Sequence, residues 1–302
     1  MPNTVRDFVG YGLRRPDVIW PEKARVAVSL VLNFEEGAER TPLYGDSVVI
    51  AEEGNVIDEP RRDLKGESIF DYGSRVAFWR LMDLFDKYEV KATVFGCGMA
   101  LEHNPEAARE FVARGHEPVA HGYRYAPMYT FTRDQEREQI CKAVEAFKRT
   151  TGQRPDAWYS SGHSEHTREL VIEEGGFAYD SDSYAEDIPY FVMVHEKKWL
   201  VIPYNLDTND MKFRLSPGYS EPHDFFLQLK NAFDCLYEEG ATHPKMMSVG
   251  LHARLSGRPA RIEAVEQFIR YAKGFPRVWF ARRIEIAKWW LDRYGHLDPL
   301  GS

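Results

Sequence analysis

A chain of 302 residues, 43% hydrophobic and 14% aromatic, can bury a sizeable core as one large domain or two small ones. Its formal charge of −8 argues against nucleic acid as the main partner, and no apolar run approaches the roughly 18–20 residues that span a bilayer. Cys97, Cys141 and Cys235 lie far apart with no CxxC spacing, which suits reduced thiols and not a disulfide set or a zinc cage.

Residues 1–23 read as an N-terminal extension with no continuous apolar segment and no small-residue cleavage site, so a cytoplasmic location is expected. "ARVAVSLVLNF" (24–34) is apolar and rich in β-branched residues, the pattern of a buried strand. It runs into Glu35 and Glu36 before reaching Gly37. Segment 38–70 reads as an irregular excursion that either covers a site or builds a subunit interface. Apolar residues at 3–4 spacing predict a helix over 72–90, followed by a strand over 91–98. A helix is expected over 104–116, with Pro105 in its first turn and Gly115 at its stop, then a short strand over 117–123 and a helix over 132–152. Strand 156–161, helix 166–176, strands 177–184 and 199–206, helix 222–240 and strand 245–255 follow. Helix 261–274, strand 278–282 and helix 283–295 complete the pattern.

About seven βα units with no repeat and no Pro/Gly/Ser linker imply a single catalytic domain over 1–302. The expected fold is α/β, with a parallel sheet closed into a barrel or nearly so. In such barrels chemistry sits where strands end, and the notable polar residues fall there. Glu35 and Glu36 are either a base with a metal or substrate ligand, or one buried acid paired to Arg40 beside a solvated one. His121, followed by Gly122, suits a metal ligand, an acid–base group or a hydrogen-bonded structural histidine. His163 and His166, three apart at a loop–helix junction, can bind metal or substrate, or be loop residues beside a Ser164 cap. One of Asp180 and Asp182 should point inward by strand alternation. Asp207 and Asp210 add carboxylates. His252, with Arg254 and Arg258 nearby, suits a general acid facing an anionic or carbonyl-rich substrate.

These pieces resemble the polysaccharide deacetylases, carbohydrate esterase family 4 with the NodB-homology domain, whose fold is a distorted (β/α) barrel of about seven parallel strands. "NFEEG" (33–37) stands where that family has T-F-D-D-G, "ATVF" (92–95) resembles its A-T-F-F strand, and "GHEPVAHGYRY" (115–125) resembles its G-H-E…H-S-x-x-H. "RPDAWYSSGHSE" (154–165) resembles its third motif, and Leu251-His252 its late Leu-His. The resemblance gives Glu35 the base position and Glu36 and His121 metal-ligand positions; His252 would protonate the leaving nitrogen or stabilise the oxyanion. Tyr125 replaces the second metal histidine and Tyr159 the third-motif arginine. A single divalent ion, zinc or similar, would then need His163 or His166 as a third ligand. "GYG" (10–12), "VLNFEEGAER" (31–40), "YGSR" (72–75), "HGYR" (121–124), "LVIPYNLDTNDMKF" (200–213) and "GLHARLSGRPAR" (250–261) resemble the allantoinase branch of that superfamily. That branch has an Arg-Thr-Gly stretch where this chain has "GHSEH" (162–166). The resemblance implies hydrolysis of a non-peptide C–N bond in a small amide, cyclic ureide or imide by a homo-oligomer, a tetramer by analogy. Tyr159, His163, His166, Asp182, Asp210 and Arg258 are the expected substrate contacts. The rival expectations are a metal-dependent N-deacetylase of amino sugars or peptidoglycan, and a barrel that has lost catalysis and binds a ligand.

Overall fold

The computed structural model describes residues 6–47, 49–50, 56–57 and 61–301. Its strands are β1 (Val26–Phe34), β2 (Val49–Ile50), β3 (Val56–Ile57), β4 (Thr93–Gly96), β5 (Glu117–Ala120), β6 (Ala157–Trp158), β7 (Tyr190–Val194), β8 (Lys197–Val201), β9 (Lys245–His252) and β10 (Val278–Phe280). Its α-helices are α1 (Leu64–Tyr72), α2 (Phe78–Lys87), α3 (Gly98–His103), α4 (Pro105–Ala113), α5 (Arg133–Thr151), α6 (Thr167–Glu174), α7 (Pro222–Glu239), α8 (Ala253–Ser256), α9 (Ile262–Lys273) and α10 (Arg283–Tyr294). No helix among the described residues is long and apolar enough to cross a membrane.

All nine residues of β1 are buried, as a strand that is apolar except at Ser29 and Asn33 requires when covered on both faces. One edge of β1 pairs in parallel with β9, Val26–Asn33 against Lys245–His252. Its other edge is shared: Val26–Val28 pair with β10, and Val31–Phe34 with β4. β5 and β6 continue the six-stranded parallel sheet. Single parallel bridges, Trp158–Asp180 and Asp180–Val201, extend the sheet past β6 to β8, and on the other side Asn209–Gly250 adds a bridge to β9. The result is the expected α/β architecture, a parallel sheet curled into a distorted barrel.

Alternate β9 side chains mark three levels of the interior. At the base, Ser248 accepts from the Arg283 guanidinium (2.9 Å), which also reaches Ser181 (3.1 Å), the Pro203 carbonyl (2.7 Å) and the Ile202 carbonyl. One level up, Gly250 leaves room for the Tyr204 hydroxyl and the Asn209 amide; a Cβ there would lie 2.3 Å from both. His252 forms the top.

The helices follow their local signals. Asn104 caps α4 with Pro105 in its first turn; α5 opens with a Thr132–Gln135 capping box and stops at left-handed Gly152. The helix expected over 72–90 is instead α1, a π-turn at Gly73–Ala77 and α2. The reason lies at Gly73, where a Cβ would come within 2.6 Å of Glu36; the widened turn brings bare backbone against that carboxylate. Of the expected excursion 38–70, residues 48, 51–55 and 58–60 lie outside the described residues. The rest is not irregular throughout, since β2 pairs antiparallel with β3 and α1 starts at Leu64. β7 pairs antiparallel with β8, whereas the strands expected over 177–184 and 199–206 shrink to the Asp180 bridge and Lys197–Val201. β9 stops at His252, short of 255, because the His252 and Arg254 amides bond to carboxylates instead of a neighbouring strand.

Candidate active site

β1 delivers Glu35 and Glu36 into the barrel mouth, where they are 1% and 2% exposed. Glu36 folds back on the backbone. One oxygen accepts the Glu35 N–H (2.9 Å); the other accepts the Arg254 N–H (3.2 Å) and lies 3.5 Å from its Nη1. Glu35 points inward. Its Oε1 is 3.1 Å from His121 Nε2 and 3.6 Å from His252 Nε2, and its Oε2 is 2.8 Å from Arg254 Nη2. Burial alone would raise the Glu35 pKa, but the charges of Arg254 and His252 and the bond from His121 hold it well below the usual carboxylate range. Burial raises that of Glu36, as does the like charge of Glu35, against the pull of Arg254. The two acids are thus split, one firmly ionised and one easier to protonate. The cation beside them is Arg254, not Arg40 as one sequence alternative had it.

His252 is fixed through Asp210, which begins a 3₁₀ turn after the Asn209 cap. Asp210 accepts the His252 backbone N–H (2.7 Å), faces its Nδ1 (2.6 Å) and accepts the Ser256 hydroxyl (2.6 Å). Burial disfavours a charged imidazole, but Asp210 and then Glu35 outweigh it and push the His252 pKa up to about 9. A protonated ring therefore directs Nε2–H at Glu35. His121 is held from behind: its Nδ1 donates to the Tyr159 carbonyl (2.9 Å) and its ring stacks on Tyr159 at 5.0 Å.

The remaining expected residues sit at one remove or further. The Tyr159 hydroxyl bonds to that of Tyr184 (2.9 Å), so the residue supports His121 with its carbonyl and ring. Asp182 accepts from the Ser160 N–H (2.7 Å) and hydroxyl (2.9 Å), bracing the strand end instead of facing Glu35; burial and then Asp180 push its pKa up to about 7. Asp180 is gripped by Arg168 (2.7 and 3.0 Å) and Trp199 (2.7 Å). Asp210 is engaged with His252 and Ser256. Arg258 lies over the Tyr72 ring at 3.8 Å and donates to the Arg254 carbonyl (3.3 Å). His163 is exposed and His166 is half-buried, 3.6 Å from Glu165. Their loop is tied down by Ser164 and Thr167 on Glu136.

The expected ion site does not assemble. Among the described residues no three His, Cys, Asp or Glu side chains could hold a metal. The physical reasons are local: both His121 nitrogens are engaged, His163 and His166 are held elsewhere, and Arg254 stands against both glutamates. Sequence reasoning placed Arg254 near His252 but gave it no role. The signal was its position two residues beyond a strand-end histidine. Gly73, inside "YGSR", was likewise missed as the surface on which Glu36 rests.

Comparison with known proteins follows the same lines. The polysaccharide deacetylase family model matches residues 67–178. A Schizosaccharomyces pombe protein named "Putative polysaccharide deacetylase" is 36% identical over 312 residues, covering 96% of this chain and 98% of that one. A solved Puue allantoinase superposes with a TM-score of 0.94 at 44% identity, covering 98% of this chain and 100% of that one. A probable polysaccharide deacetylase from Pseudomonas aeruginosa PAO1 gives a TM-score of 0.92 at 47% identity, covering 97% and 99%.

Proposed function

Because the chain belongs to the polysaccharide deacetylase family and is a hydrolase acting on C–N bonds, we propose that its substrate is a small cyclic amide or ureide, opened between a carbonyl carbon and a ring nitrogen. The observation that carries this reading is Glu35 clasped by His121, His252 and Arg254, with no three-ligand metal group among the described residues of the kind that amino-sugar deacetylation in this family would call for. The 44% identity to Puue allantoinase supports it.

Glu35 takes a proton from water as the water oxygen bonds to the carbonyl carbon. Its low pKa keeps it ionised at neutral pH but makes it a weak base, so placement of the water matters more than base strength. His121 fixes the Glu35 carboxylate from the side. As the tetrahedral intermediate collapses and the C–N bond breaks, His252 gives its Nε2 proton to the departing nitrogen. Asp210, buttressed by Ser256, stabilises the imidazolium that makes this donation. Tyr159, Asp182 and Arg258 support the frame around these groups, and His163 and His166 give the 162–166 loop a chemistry that sets which ureide or imide fits. The chain acts as one catalytic domain in a homo-oligomer; light scattering on the purified protein is expected to give a tetramer.

The test is a panel of allantoin, hydantoin, dihydrouracil, succinimide and N-acetylglucosamine oligomers, each with and without chelator. Ring opening that survives chelator supports the reading. Acetate release from the amino sugars, lost to chelator, overturns it in favour of metal-dependent deacetylation.

A further inference from the structure

Adjacent buried carboxylates repel each other and need a positive partner. Here that partner is a side chain of the same chain. The Arg254 guanidinium is fully buried, with Nη2 2.8 Å from Glu35 and Nη1 3.5 Å from Glu36, and its own backbone N–H also donates to Glu36. It lies 4.4 Å from the Phe70 ring centroid and 5.8 Å from that of Tyr125, flanked by two aromatic rings. Tyr125 in turn lies 6.2 Å from His121, so an aromatic ring packed on an arginine fills the space beside that histidine. α8 begins directly after His252 and places Arg254 in its first turn, which ties this cation to the proton donor by two residues of chain.

We propose that Arg254 is the built-in cation of the site: it occupies the place between Glu35 and Glu36 that a divalent ion would otherwise take, holds both carboxylates in position for catalysis, and excludes metal. It is a positioning residue, since it acts through Glu35 and Glu36. A planar guanidinium with several donors suits this task better than a point charge, because it can meet two carboxylates in fixed directions at once. Removing its side chain leaves two adjacent buried carboxylates without that cation, a negatively charged cavity that draws in a divalent ion, and His121, 3.1 Å from Glu35, can join the ion once Glu35 turns toward it.

The part of this inference that concerns turnover rests on the hydrolytic reading of Glu35. The part that concerns metal does not, and the experiment separates them. Cobalt(II) is titrated into chelator-treated wild type, Arg254→Ala and Arg254→Lys, with visible absorption and bound-metal analysis as readouts. Wild type and Arg254→Lys are expected to bind none, and Arg254→Ala one ion per chain with a visible ligand-field spectrum. Turnover on the best substrate of the panel should fall about 100-fold in kcat for Arg254→Ala, with KM little changed, and recover in part with Arg254→Lys or with millimolar guanidinium. Stoichiometric cobalt binding by wild type overturns the proposal, even if Arg254→Ala does not fold. So does an Arg254→Ala variant that takes up no ion, or one that keeps full turnover. Absence of turnover on every substrate in wild type, with the cobalt result as expected, sinks the substrate reading and leaves the role of Arg254 in place.

Discussion

His252 carries a pKa of about 9 because Asp210 and Glu35 flank a buried ring, and that fixes the sign of its pH effects. As a general acid it works while protonated, so kcat should fall as pH rises through about 9. Asp210→Asn removes the main source of that shift; the alkaline limb should move down by a unit or more, and kcat at pH 8 should drop about 100-fold or more, read from a pH–rate profile. The same shift links to stability. Its folded pKa lies above the ordinary 6.5, so the contribution is complete below about 6.5 and is lost as pH rises through about 9, a trend that melts at pH 6 and pH 10 will show. Glu35→Gln should lower kcat at least about 100-fold and also lower Tm, because it leaves the buried Arg254 short of a charge partner; full activity in this variant would remove Glu35 from the mechanism. Glu35, Glu36, His121 and His252 were legible because polar side chains at the ends of apolar strands have few structural reasons to be there. Which arginine pairs with the acids was not, since Arg40, Arg254 and Arg258 all satisfy the charge and only the folded backbone chooses among them. The division between Asp210 and Asp182 was equally hidden: one turns to a histidine and the other to a serine.

At the level of the element, periodicity located every long helix to within a few residues, because α5, α7, α9 and α10 combine apolar faces with clear start or stop residues. It read through the α1–α2 break because a π-turn leaves the apolar spacing nearly intact. That break has a cost attached. Gly73→Ala would put a methyl within 2.6 Å of Glu36, so a drop in kcat of at least about 10-fold is expected, with a stability loss of about 1–3 kcal/mol measurable by urea unfolding. The β7–β8 hairpin escaped notice because its outer face is exposed at Met193 and Lys197, and "HEKK" interrupts the apolar signal where the chain turns at His195.

For the whole molecule, alternation of strand and helix was enough to expect a parallel barrel, and the sheet follows it. Its course beyond β6 was not legible, because it runs through single bridges at lone residues, Asp180 and Asn209. The base depends on Arg283, a charge placed beyond reach of water and satisfied by Ser181, Ser248 and two carbonyls. Arg283→Met should destabilise the fold by about 3 kcal/mol or more and leave kcat per folded molecule unchanged, as it lies two interior levels below His252. β1 is the opposite case. It has a neighbour on both edges along almost its whole length, and Glu35 and Glu36 follow directly from its last residue. Its amides should exchange with deuterium only when the entire molecule opens. The glutamates then cannot leave their places through any partial opening, so loss of turnover with rising urea should coincide with global unfolding and not precede it.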